Sequence, residues 1–194
     1  MKTEFLIIII TIIVFLIYHY QFKNKDVVYV KSDIDDDYYL VRDVPDKLKA
    51  ANMLARLKEN IKKTTLHLVE NKNDDYSDNK KYIEQLDEKI KNAIIQESDG
   101  NSEYTSYSVN KGEQIIFCLR SKRDSALHDL NLVEYVALHE MSHVACPEFG
   151  HTDLFKEIFA FIAQVAVDIG LYKKIDFSKN PVEYCGLMIT DSII

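Results

Sequence analysis

The segment His139-Glu140-Met141-Ser142-His143 constrains this chain more than any other. Histidines four residues apart share one face of an α-helix, because four residues make slightly more than one turn. Two imidazoles so placed can grip one zinc ion, and the glutamate between them is set to act on water at that ion. Leu132, Val133, Val136, Met141 and Val144 recur at helical spacing, so the motif sits on a helix. Pro147 ends that helix, and a third imidazole, His151, follows directly after Gly150. Three protein ligands with one open position make a catalytic zinc site, whereas structural sites are closed by four. The expected ligands are therefore His139, His143 and His151, and the expected cofactor is Zn2+. HExxH alone is only moderately specific. The bland alternative is a set of surface or core histidines with no metal.

A length of 194 residues fits one domain, and 47% hydrophobic with 28% charged residues is a globular composition. The net charge is −7, with an acidic run at Asp33, Asp35, Asp36 and Asp37. Such a balance gives weak grounds for holding a polyanion, so nucleic acid is a doubtful partner. The small basic groups, Arg120 with Lys122 and Arg123, and Lys173 with Lys174, read as solvated surface. Three cysteines, Cys118, Cys146 and Cys185, do not make a disulfide framework and point to a reducing compartment. Cys146, three residues past His143, is a conceivable fourth ligand, although a small buried residue is the commoner role.

Residues Phe5 to Tyr18 carry no charge, and the apolar run extends to Phe22 with His19 and Gln21 as interruptions. At 1.5 Å per residue those 18 residues reach roughly 27 Å, near the thickness of a bilayer core. A signal peptide is the alternative, but no small residues suited to cleavage follow. The reading is a single-pass N-terminal transmembrane anchor over residues 1–22, with Tyr18, Tyr20 and Phe22 at the interface. Lys23 and Lys25 outnumber Lys2, which puts the following domain on the cytoplasmic side.

Val27 to Lys31 and Tyr38 to Val44 read as short strands in a juxtamembrane segment, residues 23–45. Leu54, Leu57, Ile61 and Leu68 mark an amphipathic helix from about Asp46 to Val69. Tyr82, Leu86, Ile90, Ala93 and Ile94 mark a second, ending near Asp99-Gly100. Tyr104 to Asn110 and Gln114 to Leu119 flank Lys111-Gly112 as a hairpin. After the motif helix, Phe155, Ile158, Phe159, Ile162, Val165, Ala166 and Ile169 form one apolar stripe, with Gly170 as a candidate C-cap. That stripe must be buried against the motif helix, which holds His151 beside His139 and His143.

A zinc ion on three neutral imidazoles brings the pKa of water from about 15.7 to near 7. Glu140 is then the expected catalytic residue, a general base that takes the water proton and passes it to the leaving amine. Glu148, Asp153 and Glu157 are candidates to orient the ligand imidazoles. His128 and Tyr184 are further possible pocket residues. Gln114 to Leu119 is the strand expected to take an extended peptide.

HEMSHVACPEFGHTDLF resembles the site of WLM and SprT-like zinc metallopeptidases, which pair HExxH with a later Gly-His and a Phe on the next helix. YTSYSVNKGEQIIFCLR is similar to the WLM hairpin, and the PVEYCGLMI tail is similar to that of short, membrane-anchored WLM-like proteins of large DNA viruses. The resemblance covers roughly Tyr104 to Ile189. It implies an α+β fold with a minimal zincin-like metallopeptidase core over residues 46–194, behind the transmembrane helix. It also implies His139, His143 and His151 as zinc ligands and Glu140 as base. The family's better-known members cleave proteins crosslinked to DNA, a substrate that this acidic chain gives no grounds to adopt. The expected function is a membrane-anchored zinc metalloprotease acting on a protein or peptide substrate. Two alternatives are a non-enzymatic, membrane-anchored, zinc-stabilised structural or assembly protein, and hydrolysis of a small amide.

Overall fold

The computed structural model describes residues 7–16 and 26–194. β1 (Val27–Lys31) and β2 (Tyr38–Arg42) pair antiparallel across the acidic turn. Then come the long helix α1 (Lys47–Asn71), a short 3-10 turn and α2 (Lys80–Ile90). β3 (Ile94–Glu97), β4 (Tyr107–Val109) and β5 (Gln114–Phe117) form a sheet in the order β3-β5-β4. The motif helix α3 (Leu130–Ala145) and α4 (Asp153–Asp168) follow, and a separate hairpin of β6 (Val182–Tyr184) and β7 (Leu187–Ile189) comes last.

α3 is the centre of the molecule. It packs against α1, α2 and α4 and against β4 and β5. Its buried residues, Leu132, Val133, Leu138, Met141 and Val144 among them, lie on more than one face, as a helix enclosed by neighbours requires. The β1–β2 hairpin joins the same core through Tyr39 and Val41, and the Arg42 backbone N–H donates to Glu97 at 2.7 Å. Asp46 is the N-cap residue of α1, but its carboxylate makes no cap bond. It pairs instead with Arg120, 2.8 Å away, which also bonds Glu97 at 2.8 Å.

Four expectations change. The second helix stops at Ile90, and Ile94 and Ile95 enter a strand parallel to β5. β-branched residues that can alternate between an exposed and a buried face gain more there than in a further helical turn. β5, expected to receive a peptide, is the central strand, and β3 and β4 are the edges, β4 being the one that lines the cleft. The cysteines are not all unpaired: Cys118 and Cys185 form a disulfide across 67 positions, and Cys146 is the free, buried one. The case for a reducing compartment falls with that bond.

The fourth concerns the N-terminus. Among the described residues no helix is long and apolar enough to cross a membrane. The described part of the expected anchor is a ten-residue helix, residues 7–16. Ten residues rise about 15 Å, half of a hydrocarbon core. The remainder of the expected span, residues 1–6 and 17–22, lies outside the described residues. The single-pass anchor, and the membrane location and cytoplasmic orientation drawn from it, are therefore not supported.

Candidate metal centre and cleft

α3 begins at Asp129, whose carboxylate accepts the Asn131 backbone N–H at 2.9 Å. This fixes the start of the helix two and a half turns before His139. At its other end the Cys146 N–H bonds Ser142 O at 2.8 Å, and Cys146 itself is extended. Gly150 takes a positive φ of 79°, which a side chain would resist, and the chain reverses there. Thr152 then caps α4 by accepting the Phe155 N–H at 3.3 Å. His151 is the last of the five residues between Cys146 and the cap.

The three imidazoles meet. The Nε2 of His143 lies 3.1 Å from that of His139 and 3.2 Å from that of His151, and the last two are 3.1 Å apart. Three nitrogens at tetrahedral angles, each about 2.0–2.1 Å from one zinc ion, stand roughly 3.3–3.4 Å apart. The spacing fits. A single N–H can serve one neighbour, so shared protons cannot satisfy a closed triangle of imidazole nitrogens. Burial, reinforced by the neighbouring imidazoles, pushes His139 down to about 3. Burial, then His151 and Lys111, pushes His143 down to about 4. Both offer lone pairs at neutral pH. His139, His143 and His151 thus lie close enough to bind a metal ion.

Phe155 fixes their orientation. Its ring stacks on His143 at 4.2 Å and meets His139 and His151 edge-on, each at 5.0 Å. Among the residues expected to orient the imidazoles, Asp153 pairs with Lys156 at 3.1 Å instead.

Glu140 faces the same cleft, a cavity of about 800 Å³. It is 4% exposed. Burial raises its carboxyl to about 7, while the Ser108 backbone N–H pulls the other way. That N–H points out of the free edge of β4. The floor of the cleft is α3, one wall is β4 with the loop before it, and the other is β6–β7 with Tyr184, Leu187 and Ile189. Phe149, 85% exposed, stands at the rim beside His151.

Lys111, at the tip of the β4–β5 hairpin, was not singled out from the sequence. Its ammonium donates to the carbonyls of Cys146, Pro147 and Glu148 at 2.7, 3.0 and 3.1 Å. It also lies 4.4 Å above the Phe149 ring. These carbonyls belong to the extended segment just past the end of α3, and a cation near that end also meets the negative end of the helix dipole. Gly112 lets the tip approach: a Cβ there would lie 3.0 Å from Val144 Cγ1. Lys111 thereby holds the segment leading to His151. Cys146 serves this clamp through its carbonyl and lies outside the histidine cluster. Tyr184 is in the wall, with its hydroxyl 2.6 Å from Ser106 Oγ. His128 sits behind it, with ring centroids 5.0 Å apart, and does not line the cleft.

The chain is 44% identical over 183 residues to the uncharacterized protein R325 of Acanthamoeba polyphaga mimivirus, covering 94% of this chain and 92% of that one. It is 40% identical over 83 residues to the uncharacterized protein 136R of Invertebrate iridescent virus 6 and 39% identical over 83 residues to 042R of Invertebrate iridescent virus 3. Those matches span 44% and 50% of the two iridescent virus proteins. No family model and no solved structure matches the chain. The zincin-like part of the fold expectation is therefore not supported. What stands is an α+β architecture, with helices and three small sheets among the described residues.

Proposed function

We propose that this chain, which belongs to the family of the mimivirus protein R325, is a zinc-dependent peptidase with His139, His143 and His151 as ligands and Glu140 as general base. The observation that carries this reading is the convergence of three imidazole nitrogens beside a buried glutamate in one cleft. The resemblance of HEMSHVACPEFGHTDLF to WLM and SprT-like peptidases supports it. An all-imidazole donor set suits zinc, and three ligands leave a position open.

Bound there, zinc supplies a Lewis acid that polarises a carbonyl and makes water nucleophilic near neutral pH. The chain's own residues do the rest. Glu140 accepts the proton of the attacking water on its carboxylate and delivers it to the departing amine nitrogen. The Ser108 N–H holds that carboxylate on the cleft side of β4. Phe155 keeps the imidazoles from rotating. An extended peptide lies along the free edge of β4, where backbone groups can pair with it. The apolar wall of Leu187 and Ile189 and the rim at Phe149 suit the side chains of such a peptide.

The test uses the full chain. Zinc content and peptide hydrolysis are measured for the wild type and for Glu140→Gln. The expected outcome is about one zinc per chain in both proteins and hydrolysis in the wild type alone. Equal hydrolysis by both removes Glu140 from the mechanism. No hydrolysis by either, with unfolding on metal removal, moves the protein to a zinc-stabilised structural role.

A further inference from the structure

The β6–β7 hairpin forms one wall of the cleft, yet among the described residues it belongs to no larger sheet. An isolated two-stranded hairpin is at best marginally stable in water. Something outside it must hold it in place. Its two-residue turn is Cys185-Gly186, and both residues have positive φ, 51° and 88°. Such a turn favours Asn or Asp followed by Gly. A cysteine has no local reason to be there. Its reason is the bond to Cys118, the residue that follows β5.

The disulfide belongs to a closed set of contacts. The Cys118 backbone N–H donates to Ser106 Oγ at 3.0 Å, and Ser106 Oγ meets the Tyr184 hydroxyl at 2.6 Å. Tyr184 adjoins Cys185. The Cys185 backbone N–H donates to His128 Nε2 at 3.3 Å, and the His128 ring lies against Tyr184. Tyr184, 4% exposed, is thus fixed in the wall facing the glutamate side of the cleft.

We infer that Cys118 and Cys185 are positioning residues for the cleft, and that the site is complete only when they are joined. The inference rests on the peptidase reading for what the cleft does. Closure needs an oxidant, and a small or protein disulfide RSSR supplies it. One cysteine thiolate attacks RSSR and releases RS⁻. The other attacks the resulting mixed disulfide and releases the second RS⁻. The protein gives up two electrons, RSSR becomes two thiols, and the two cysteine protons go to them. The histidine cluster lies on α3 and the loop after it, so metal binding does not need the bond.

The experiment compares the full chain with the double variant Cys118→Ser/Cys185→Ser and with wild type reduced by a water-soluble phosphine that is removed before metal is added. Cobalt(II) binding, amide hydrogen exchange over residues 182–189 and peptide hydrolysis are read on each. Cobalt affinity is expected to hold within about twofold, as for an independent site. Exchange at 182–189 rises, and hydrolysis falls by about 10- to 100-fold, the effect of a displaced wall. Reoxidation of the reduced wild type with a disulfide restores both. Free thiols at Cys118 and Cys185 in fully active protein, or wild-type hydrolysis by the double variant, overturn the inference. Should the double variant fail to fold, the reduction and reoxidation of wild type decides by the same readouts. Should oxidised wild type cut no peptide, the peptidase reading fails by itself. Exchange at 182–189 then decides the staple: unchanged protection overturns it, and raised exchange supports it.

Discussion

Two glutamates on α3 make the comparison from which the most can be learned. Glu134 and Glu140 are 1% and 4% exposed. Burial raises each carboxyl to about 7. Six residues separate them, so they point about 120° apart around the helix. Glu140 opens on the cleft beside three imidazoles. Glu134 faces α1, where Asn60 Nδ2 donates to its Oε2 at 2.9 Å and its Oε1 has no partner. Perturbation by burial is therefore no mark of a site by itself. What separates the two is access: one carboxyl borders a cavity that a substrate can enter, and the other is enclosed by helices.

The largest expected effect breaks the comparison most directly. On the proposed peptidase reading, Glu140→Gln lowers kcat by about 10²- to 10⁴-fold, the range of a lost general base. Glu134→Gln leaves kcat/KM within about twofold, because the two sites share no partner. Steady-state peptide hydrolysis on both variants checks this, and equal losses would sink the distinction. Next comes His151→Ala. It removes the imidazole of the cluster that is not on α3, and, on the proposed zinc reading, affinity should fall by more than the about 10- to 100-fold that loss of an outer partner costs. Competition with a chelator measures it.

Much of the cleft was legible in the chain, and the reason is its local character. His139, Glu140 and His143 follow from helical periodicity, and His151 from a short loop that has little freedom. The packing of α4 against α3 follows from one apolar stripe. The other wall was not legible. The disulfide joins residues 67 positions apart, and nothing in the spacing of three cysteines tells which pair meets. Tyr184 reaches the cleft from a hairpin that this bond ties to the end of β5. β5 is central, and β4 the edge at the cleft, because β3 pairs parallel to β5 on the other side, a long-range choice that a hairpin pattern does not contain. Ile94 and Ile95 suit helix and strand periodicity alike until that partner is present.

Lys111 sharpens the comparison from the outside, since it acts on the cleft through a loop. Lys111→Met removes three hydrogen bonds to the carbonyls before His151. Zinc affinity should drop by about tenfold, the low end for an outer partner, mainly through faster dissociation. Lys111→Arg keeps the charge and donors and should restore part of it. Unaltered chelator kinetics in Lys111→Met would remove the clamp from the metal site.

The smallest effect at the cleft is that of Glu134→Gln, which should appear in stability alone. Below the ordinary carboxyl value of 4.5 both folded and unfolded chains hold the Glu134 proton, and it contributes nothing. Between 4.5 and about 7 the folded chain keeps a proton that the unfolded chain has lost, so wild-type stability falls as pH rises. Above that range both are ionised and the cost is complete, at most about 3 kcal/mol for a buried carboxyl shifted this far. Glutamine keeps an oxygen for Asn60 but puts an amide N–H where Oε1 has no partner, which costs about 1–2 kcal/mol. The variant should then be the less stable protein at pH 5 and the more stable by about 1–2 kcal/mol at pH 8. Urea midpoints at the two pH values measure the crossing. A difference that does not change with pH would mean that Glu134 titrates alike in both states, and that the enclosed face of α3 is wetter than its packing implies.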